Sequence, residues 1–324
     1  MLNCSKLLIR VGSNAVVREL SVGLRNSGSK VQFCAVAAAS TAAATNEASS
    51  KPTSPQKVDT ACCGFAKDLI GAPSTVLDSN VYGEDACFIS KFKSTAVAGV
   101  ADGVGGWKRY EINPAEFSKN LMNNCSEIVN NGSFDPQRPD LIIANAFHKL
   151  SISSSRPPGS STACVVVVHK KILYAANLGD SGYLVFRDGA IIHKSQEQIH
   201  AFNTPFQLTL LPERSELSKW PKLSLIEWQD ADHFIKDTPE HADLHKLELQ
   251  SGDAVLIATD GLWDNLPDNQ IIETLKGINA ENLQAKCNTI ALIARRLSND
   301  ESHLSPFAKK AQEYGYQMVG GKAS

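Results

Sequence analysis

Short apolar runs rich in β-branched residues recur through the chain after about residue 80, and turn residues separate them. Runs of this length and composition predict strands. They cover residues 86–90, 95–101, 163–168, 172–178, 183–187 and 254–258. The Asp188-Gly189 pair between two apolar runs predicts a two-residue hairpin, so neighbouring strands should pair antiparallel.

Helical periodicity appears in two blocks, one among the strands and one after them. In the first block, Asn113 is a predicted N-cap and Pro114 suits the first helical turn. The apolar face of this helix consists of Phe117, Leu121, Cys125 and Ile128. Further helices are predicted at about 140–150, 268–278 and 281–297, and from Ser305 to Gly315. Because strands and helices are grouped rather than alternating, the pattern predicts an α+β fold with antiparallel sheets.

The first 58 residues differ in composition from the rest. Residues 1–46 contain one acid, Glu19, and apolar residues interleaved with bases at roughly helical spacing. The bases are Lys6, Arg10, Arg18, Arg25 and Lys30. Such a start is typical of a mitochondrial presequence, with an acid-poor disordered tail as the alternative, and the Ala/Ser/Thr/Pro-rich stretch 35–55 is typical of a linker. We expect residues 1–58 to be presequence and linker, and 59–324 to fold.

Composition and charge exclude several classes of protein. Apolar residues make up 43% of the chain and charged residues 20%, which is an ordinary globular balance. The net charge of −2 argues against nucleic acid as a partner. No apolar run approaches the ~20 residues that a transmembrane helix needs. The eight cysteines form no C-x-x-C pair and several lie in apolar runs, so we expect reduced thiols. Residues 200–245 are polar and irregular, which predicts a surface excursion.

Acidic residues recur where the predicted strands begin or end, at Glu84, Asp85, Asp102, Asp180 and Asp260. A single Asp-Gly is usually only a turn, but strand ends converge at one edge of a sheet, so several acidic ends could meet. Clustered carboxylates raise one another's pKa unless a cation neutralises them. Oxygen ligands without nearby His or Cys favour Mg²⁺ or Mn²⁺ over Zn²⁺.

Six segments, in order and with matching spacing, resemble the metal-dependent protein phosphatases of type 2C, and most closely their mitochondrial branch. The segments are 83–88 (GEDACF), 100–107 (VADGVGGW), 159–164 (GSSTAC), 176–182 (ANLGDSG), 202–208 (FNTPFQL) and 258–265 (ATDGLWDN). The resemblance covers about residues 62–322. It implies a four-layer αββα sandwich, with two central antiparallel sheets between helix pairs.

The resemblance also implies roles for the acidic residues. Asp102 would bridge two metal ions, Glu84 and the Gly103 carbonyl would serve one ion, and Asp260 would serve the other. Asp180 would contribute with Asp260 to a weaker third site. The cofactors would be two Mg²⁺ or Mn²⁺ ions, and the catalytic residues Asp102 and Asp260.

The implied activity is hydrolysis of phosphoserine and phosphothreonine on mitochondrial proteins, with a hydroxide held between the two metal ions attacking phosphorus directly. Asp85 would support the carboxylate cluster. The expected partners are phosphoprotein substrates, without nucleic acid and without a transmembrane segment. A monomer located in the mitochondrial matrix is expected.

Two substitutions depart from the family pattern near the expected site. Asn80 stands where many members have a phosphate-binding Arg. The positive charge that binds phosphate could come instead from Lys91, Lys93, Lys108 or Arg109. Val104 stands where many members have a His that is a candidate general acid, so the proton for the departing alkoxide must come from another group.

The C-terminal end and one motif leave alternatives open. The family chain continues past Gly-Gly-Lys into a metal-binding Asp and a last strand, whereas this chain stops at Ser324 in the position of that Asp. A non-catalytic pseudophosphatase that binds phosphoproteins is therefore the alternative function. The Gly179–Gly182 segment also resembles the nucleophile segment of trypsin-like proteases, but the His context that such a protease needs is missing from the sequence.

Overall fold

The computed structural model describes residues 4–11, 38–40, 57–65, 82–223 and 234–322 of the 324-residue chain. One central sheet has five antiparallel strands. In spatial order they are β14 (Asp243–Glu248), β8 (Ile172–Leu178), β7 (Ala163–His169), β5 (Thr95–Asp102) and β4 (Asp85–Phe92). The predicted antiparallel pairing is confirmed.

The other central sheet has six strands. In spatial order they are β10 (Ala190–Lys194), β9 (Gly182–Arg187), β15 (Ala254–Ala258), β1 (Cys4–Val11), β2 (Ala38–Ser40) and β3 (Lys57–Phe65). Strand β1 pairs antiparallel with both β15 and β3, and parallel with β2. The strands β1 and β2 lie within residues 1–58, the range in which the sequence predicts a presequence and linker.

Smaller elements complete the chain. Two strand pairs join β6 (Gly159–Ser161) to β13 (Leu208–Leu210) and β11 (Ile199–Ala201) to β12 (Thr204–Pro205). The α-helices are α1 (Pro114–Asn130), α2 (Pro139–Ser151), α3 (Asp260–Trp263), α4 (Asp268–Leu275), α5 (Leu283–Ser298) and α6 (Pro306–Glu313). Short 3-10 helices span Gly105–Tyr110, Arg214–Lys219 and Pro239–His241. No helix in the described ranges is long and apolar enough to cross a bilayer.

Strand β7 shows why its sequence is apolar throughout. Cys164, Val166 and Val168 belong to the core that also contains residues of the six-stranded sheet. The alternate residues Val165 and Val167 pack instead with α1 and α2. Since successive side chains of a strand point to opposite faces, β7 is buried on both sides. Helix α5 covers β1 and β3 on the outer face of the second sheet, so the four-layer αββα fold is confirmed.

The helix signals in the sequence also agree with the structure. The Asn113 side chain accepts a hydrogen bond of 3.2 Å from the Ala115 amide at the start of α1. The Ser305 hydroxyl accepts one of 3.0 Å from the Ala308 amide at the start of α6. Both side chains satisfy amide groups that lack a partner at a helix N-terminus.

The prediction that residues 200–245 are irregular is wrong in part. Strand β14 begins at Asp243 and pairs with β8 at the edge of the five-stranded sheet. Most of its side chains are exposed, and its sequence, DLHKLE, is largely polar. An exposed edge strand lacks the apolar run by which buried strands are recognised in a sequence.

Candidate active site

The acidic strand ends meet at one edge of the two sheets. Asp85, the first residue of β4, is the cross-strand partner of Asp102, the last residue of β5. Asp180 lies in the turn between β8 and β9, and Asp260 begins α3 after β15. The structure therefore brings together acidic residues from both sheets.

A cavity of about 400 Å³ opens at this edge. Among the residues that line it are Glu84, Asp102, Gly103, Asp180 and Asp260. The remaining candidate, Asp85, is fully buried and is not among the lining residues. Its Oδ2 accepts a hydrogen bond of 2.9 Å from the Thr259 hydroxyl, so Asp85 ties the two sheets together beside the cavity.

Gly103 is required by close packing beside Asp102. Its amide donates a hydrogen bond of 3.1 Å to the Glu84 carbonyl. A Cβ at this position would lie 2.6 Å from the Pro114 carbonyl oxygen, which belongs to the rigid start of α1. Only glycine fits such a close approach of two backbones, and this approach fixes where the Gly103 carbonyl lies.

A pair of buried hydroxyls positions Asp102. The Asp102 amide donates a hydrogen bond of 3.0 Å to Thr162 Oγ1, which lies 2.7 Å from Ser181 Oγ. Ser181 is 1% exposed, so its hydroxyl serves the packing beneath the cavity. This burial argues against Ser181 as the nucleophile of a serine protease.

Burial and neighbouring charges change the pKa values of the carboxyl groups. Burial, and then the charges of Asp85 and Asp260, raise the pKa of Asp102 well above its usual range. Burial and the Asp260 charge raise the pKa of Asp180 to about 8. Burial alone would also raise the pKa of Asp260, but the Lys322 ammonium outweighs it and holds that pKa below its ordinary value. The cluster thus needs compensating positive charge.

Lys322 supplies one of these charges. Its Nζ lies 2.6 Å from Asp260 Oδ2 and 2.6 Å from Asp264 Oδ2. Burial disfavours the charged ammonium, but the attraction of Asp260 and Asp264 outweighs burial and raises the pKa of Lys322 well above its ordinary value. Lys322 is therefore a charged group on the wall of the cavity.

Lys108 supplies a second charge on the opposite side. It forms an ion pair with Glu84, and its side chain is 53% exposed. The other three candidates for a phosphate-binding cation have different contacts. Lys91 donates to the Val58 carbonyl, Lys93 lies over the Phe92 ring, and Arg109 lies over the Tyr110 ring. Lys108 thus has a described contact with a cavity residue, while Asn80 and Ser324 lie outside the described residues.

The residues present suit a hard divalent cation. Across the described part of the chain, no three His, Cys, Asp or Glu side chains form a ready-made ligand set. The cavity nevertheless gathers carboxylates and a backbone carbonyl, which are the ligands of Mg²⁺ and Mn²⁺, and ammonium groups balance their charge. The Asp260 Oδ1 atom is buried and lacks a hydrogen-bond partner among the described residues. The donor chemistry thus fits, and ion binding would require the side chains to draw closer.

Sequence reasoning missed two residues of this site. Asp264 lies four residues after Asp260, and residues at this spacing share one face of a helix, so the pattern Asp260-x-x-x-Asp264 could have revealed it. Lys322 lies 62 positions after Asp260 and reaches it only through the fold, so no local spacing reveals this contact.

Comparisons with known proteins show the family to which the chain belongs. Residues 75–286 match the family model described as protein phosphatase 2C. The chain belongs to the protein phosphatase 2C family. It is 42% identical over 269 residues to the protein phosphatase PTC7 homolog of Xenopus laevis, which covers 81% of this chain and 84% of that one. It is 41% identical to the protein phosphatase PTC7 homolog of Homo sapiens, and the match covers 81% of this chain and 83% of the human protein.

A solved structure supports the same assignment. The photosystem II phosphatase PBCP superposes with a TM-score of 0.61 and is 27% identical, covering 75% of this chain and 88% of the other. The chain is thus a protein phosphatase of the 2C family, whose members are metal dependent. The resemblance to the type 2C phosphatases is confirmed.

Proposed function

We propose that this phosphatase hydrolyses phosphoserine and phosphothreonine on mitochondrial proteins with two divalent cations. The convergence of Glu84, Asp102, Asp180 and Asp260 on one cavity carries the proposal. Burial, and then repulsion from neighbouring carboxylates, raise the pKa values of Asp102 and Asp180. Such an arrangement is unfavourable without cations, so it is expected where cations are bound.

Each cation would have its own residues. Glu84 and the Gly103 carbonyl would hold one ion, Asp260 the other, and Asp102 would contact both, with Asp180 completing a weaker third site. When bound, the ions would lower the pKa of water and neutralise charge on the phosphoryl group. Mg²⁺ and Mn²⁺ both suit these oxygen donors.

The chain's own residues position this chemistry. Thr162 holds the Asp102 backbone, and Asp85 holds the loop before Asp260 through its hydrogen bond with Thr259. Lys108, half exposed beside Glu84, is placed to meet an incoming phosphate dianion. Val104 has no ionisable group, so the proton for the departing alkoxide comes from another source.

One observation favours the non-catalytic alternative. Lys322 already forms ion pairs with Asp260 and Asp264. If this ion pair persisted, the second cation would bind poorly and the protein could bind phosphoproteins without hydrolysing them. The catalytic proposal therefore requires that a divalent cation compete with Lys322.

The mitochondrial part of the proposal rests on the sequence of the first 58 residues. Their basic, acid-poor composition is typical of an imported presequence. The matrix is the compartment that such presequences address.

The test of the catalytic proposal is hydrolysis of p-nitrophenyl phosphate and of a phosphothreonine peptide by the purified chain, with Mn²⁺ and with a chelator. We expect turnover of both compounds with Mn²⁺ and none with the chelator. Binding of the phosphopeptide without turnover at saturating Mn²⁺ would support the non-catalytic alternative instead.

A further inference from the structure

The Lys322 ammonium occupies the side of the carboxylate cluster that belongs to Asp260. Its two contacts of 2.6 Å, to Asp260 and Asp264, are as short as charge-assisted hydrogen bonds become. Two carboxylates and one ammonium leave a net charge of −1 there. The side chain of Lys322 is 13% exposed, so water screens these contacts little.

The backbone around Lys322 is held by specific contacts. The Lys322 amide donates to Asn265 Oδ1 at 2.8 Å, and the Asn265 side-chain amide donates to the Lys322 carbonyl at 3.1 Å. The Ser305 hydroxyl donates to the Gly320 carbonyl at 2.7 Å. These bonds connect the segment to the residue after Asp264 and to the cap of α6, so the position of Lys322 is built into the fold.

Close packing and an aromatic ring hold the segment further. A Cβ at Gly321 would lie 2.1 Å from the Leu297 carbonyl oxygen, so only glycine fits between Lys322 and the end of α5. The Lys322 Nζ also lies 4.7 Å from the centre of the Phe307 ring, within the range of a cation–π contact. The ammonium is therefore held from several sides.

The ammonium on the opposite side of the cluster is held differently. Lys108 contacts Glu84 but is 53% exposed, so its side chain can turn into solvent when a cation binds to Glu84. Lys322 is enclosed and cannot leave as easily. A divalent cation beside Asp260 must displace this ammonium or tolerate its repulsion at close range, which weakens binding. Lys322 should therefore compete with a divalent metal ion more strongly than Lys108 does.

We infer that Lys322 is a built-in cation that competes with the divalent ion at Asp260 and sets the affinity of that side of the site. The inference rests on the proposed use of two metal ions. The chain would then have one metal position of ordinary affinity, beside Glu84, and a second position, beside Asp260, that fills only at higher metal concentration. The phosphatase would then become fully active only when the free cation concentration is sufficient to displace Lys322.

The test compares wild type with Lys322→Met, which keeps the length of the side chain and removes its charge. Mn²⁺ binding is measured by calorimetry, and the thermal midpoint is measured without metal and with excess Mn²⁺. We expect Mn²⁺ affinity at the weaker position to rise by roughly tenfold or more, because repulsion is removed. The metal-free midpoint should fall, since Asp260 and Asp264 lose their counter-charge, and excess Mn²⁺ should restore it.

Two further variants separate charge from folding. Lys322→Arg keeps the charge and should bind Mn²⁺ like wild type, whereas Lys322→Gln should behave like Lys322→Met if the latter folds poorly without metal. Lys309→Met, an exposed lysine on α6, is the matched control and should change neither measurement.

The outcomes distinguish this inference from the proposed function. Equal Mn²⁺ affinities in wild type, Lys322→Met and Lys322→Gln, all folded, would overturn the role of Lys322 while leaving metal-dependent hydrolysis intact. Absence of any Mn²⁺ binding to wild type and variants would overturn the proposed metal use and this inference with it.

Discussion

The Thr259 hydroxyl donates a hydrogen bond of 2.9 Å to Asp85 Oδ2. Thr259 follows β15 of the six-stranded sheet and Asp85 begins β4 of the five-stranded sheet, so this contact joins the two sheets directly beside the cavity. Asp85 is in turn the cross-strand partner of Asp102. The bond therefore fixes the distance between the acidic groups that each sheet contributes.

Removing this hydrogen bond should loosen the cluster. In Thr259→Val the buried Asp85 carboxylate loses a donor, and such a loss costs about 1–3 kcal/mol of unfolding free energy. We also expect weaker Mn²⁺ binding, because Asp260 is no longer held relative to Asp102. Urea unfolding and calorimetry measure the two effects. Thr289→Val, exposed on α5, is the control; an effect in both variants alike would show that exchange of any threonine hydroxyl for a methyl group is responsible.

Ser181 is expected to be structural. Ser181→Ala removes one hydroxyl of the buried Thr162–Ser181 pair, so the free energy of unfolding should fall by about 1–3 kcal/mol. Turnover should stay within severalfold of wild type. Thermal unfolding and phosphopeptide hydrolysis give both values, with the exposed Ser154→Ala as control. Loss of all activity in a folded Ser181→Ala protein would contradict direct attack by water and restore a covalent mechanism.

Lys108 is expected to bind the phosphate of the substrate. Lys108→Gln should raise KM for a phosphothreonine peptide and weaken inhibition by inorganic phosphate, with a smaller effect on kcat, because the lost attraction acts on the bound dianion. Lys108→Arg should retain most of the binding. Lys93→Gln, which alters a lysine over the Phe92 ring, is the control. A change in Mn²⁺ affinity with an unchanged KM would mean that Lys108 acts only through Glu84.

The N-terminal segment is expected to direct import. A fusion of residues 1–60 to a fluorescent reporter should accumulate in mitochondria, and replacing its arginines by glutamine should abolish this, because presequences are recognised by their positive charge. A diffuse cytosolic signal from the unaltered fusion would contradict the proposal.

The same segment also contributes strand β1, which pairs with β15 and β3. Cleavage before about Cys62 would remove β1 and the first residues of β3, and it would leave the edge of β15 unpaired. Mass spectrometry of the N-terminus of protein recovered from mitochondria shows whether β1 is retained or cleaved off. A protein that keeps Cys4–Val11 should have a higher thermal midpoint than one that begins near residue 57.

The sequence predicts most of the fold because buried strands carry their signal locally. Val165 to Val168 are apolar on both faces, and the acidic residues stand directly at strand ends, so Asp102 and Asp260 could be identified before the structure. Strand β14 could not, since an exposed edge strand is polar. Lys322 could not either, because only the path of the chain brings it to Asp260.

Strand β1 illustrates a further limit. The spacing of apolar residues in its short segment is compatible with an amphipathic helix, and its pairing with β15 and β3 is a tertiary property. Periodicity over so few residues does not distinguish a helix from a strand.

The most direct test of the account is the Mn²⁺-dependent turnover of Asp102→Asn beside wild type and the control Asp188→Asn, which lies in the exposed β9–β10 turn. The substitution keeps the shape of Asp102 and removes its charge, and circular dichroism checks that the fold is retained. We expect wild type and Asp188→Asn to hydrolyse a phosphothreonine peptide with Mn²⁺, and Asp102→Asn not to hydrolyse it. The metal-free thermal midpoint of Asp102→Asn should be equal to that of wild type or higher, because repulsion in the carboxylate cluster is relieved. Full Mn²⁺-dependent activity in Asp102→Asn would contradict the central role of this carboxylate cluster.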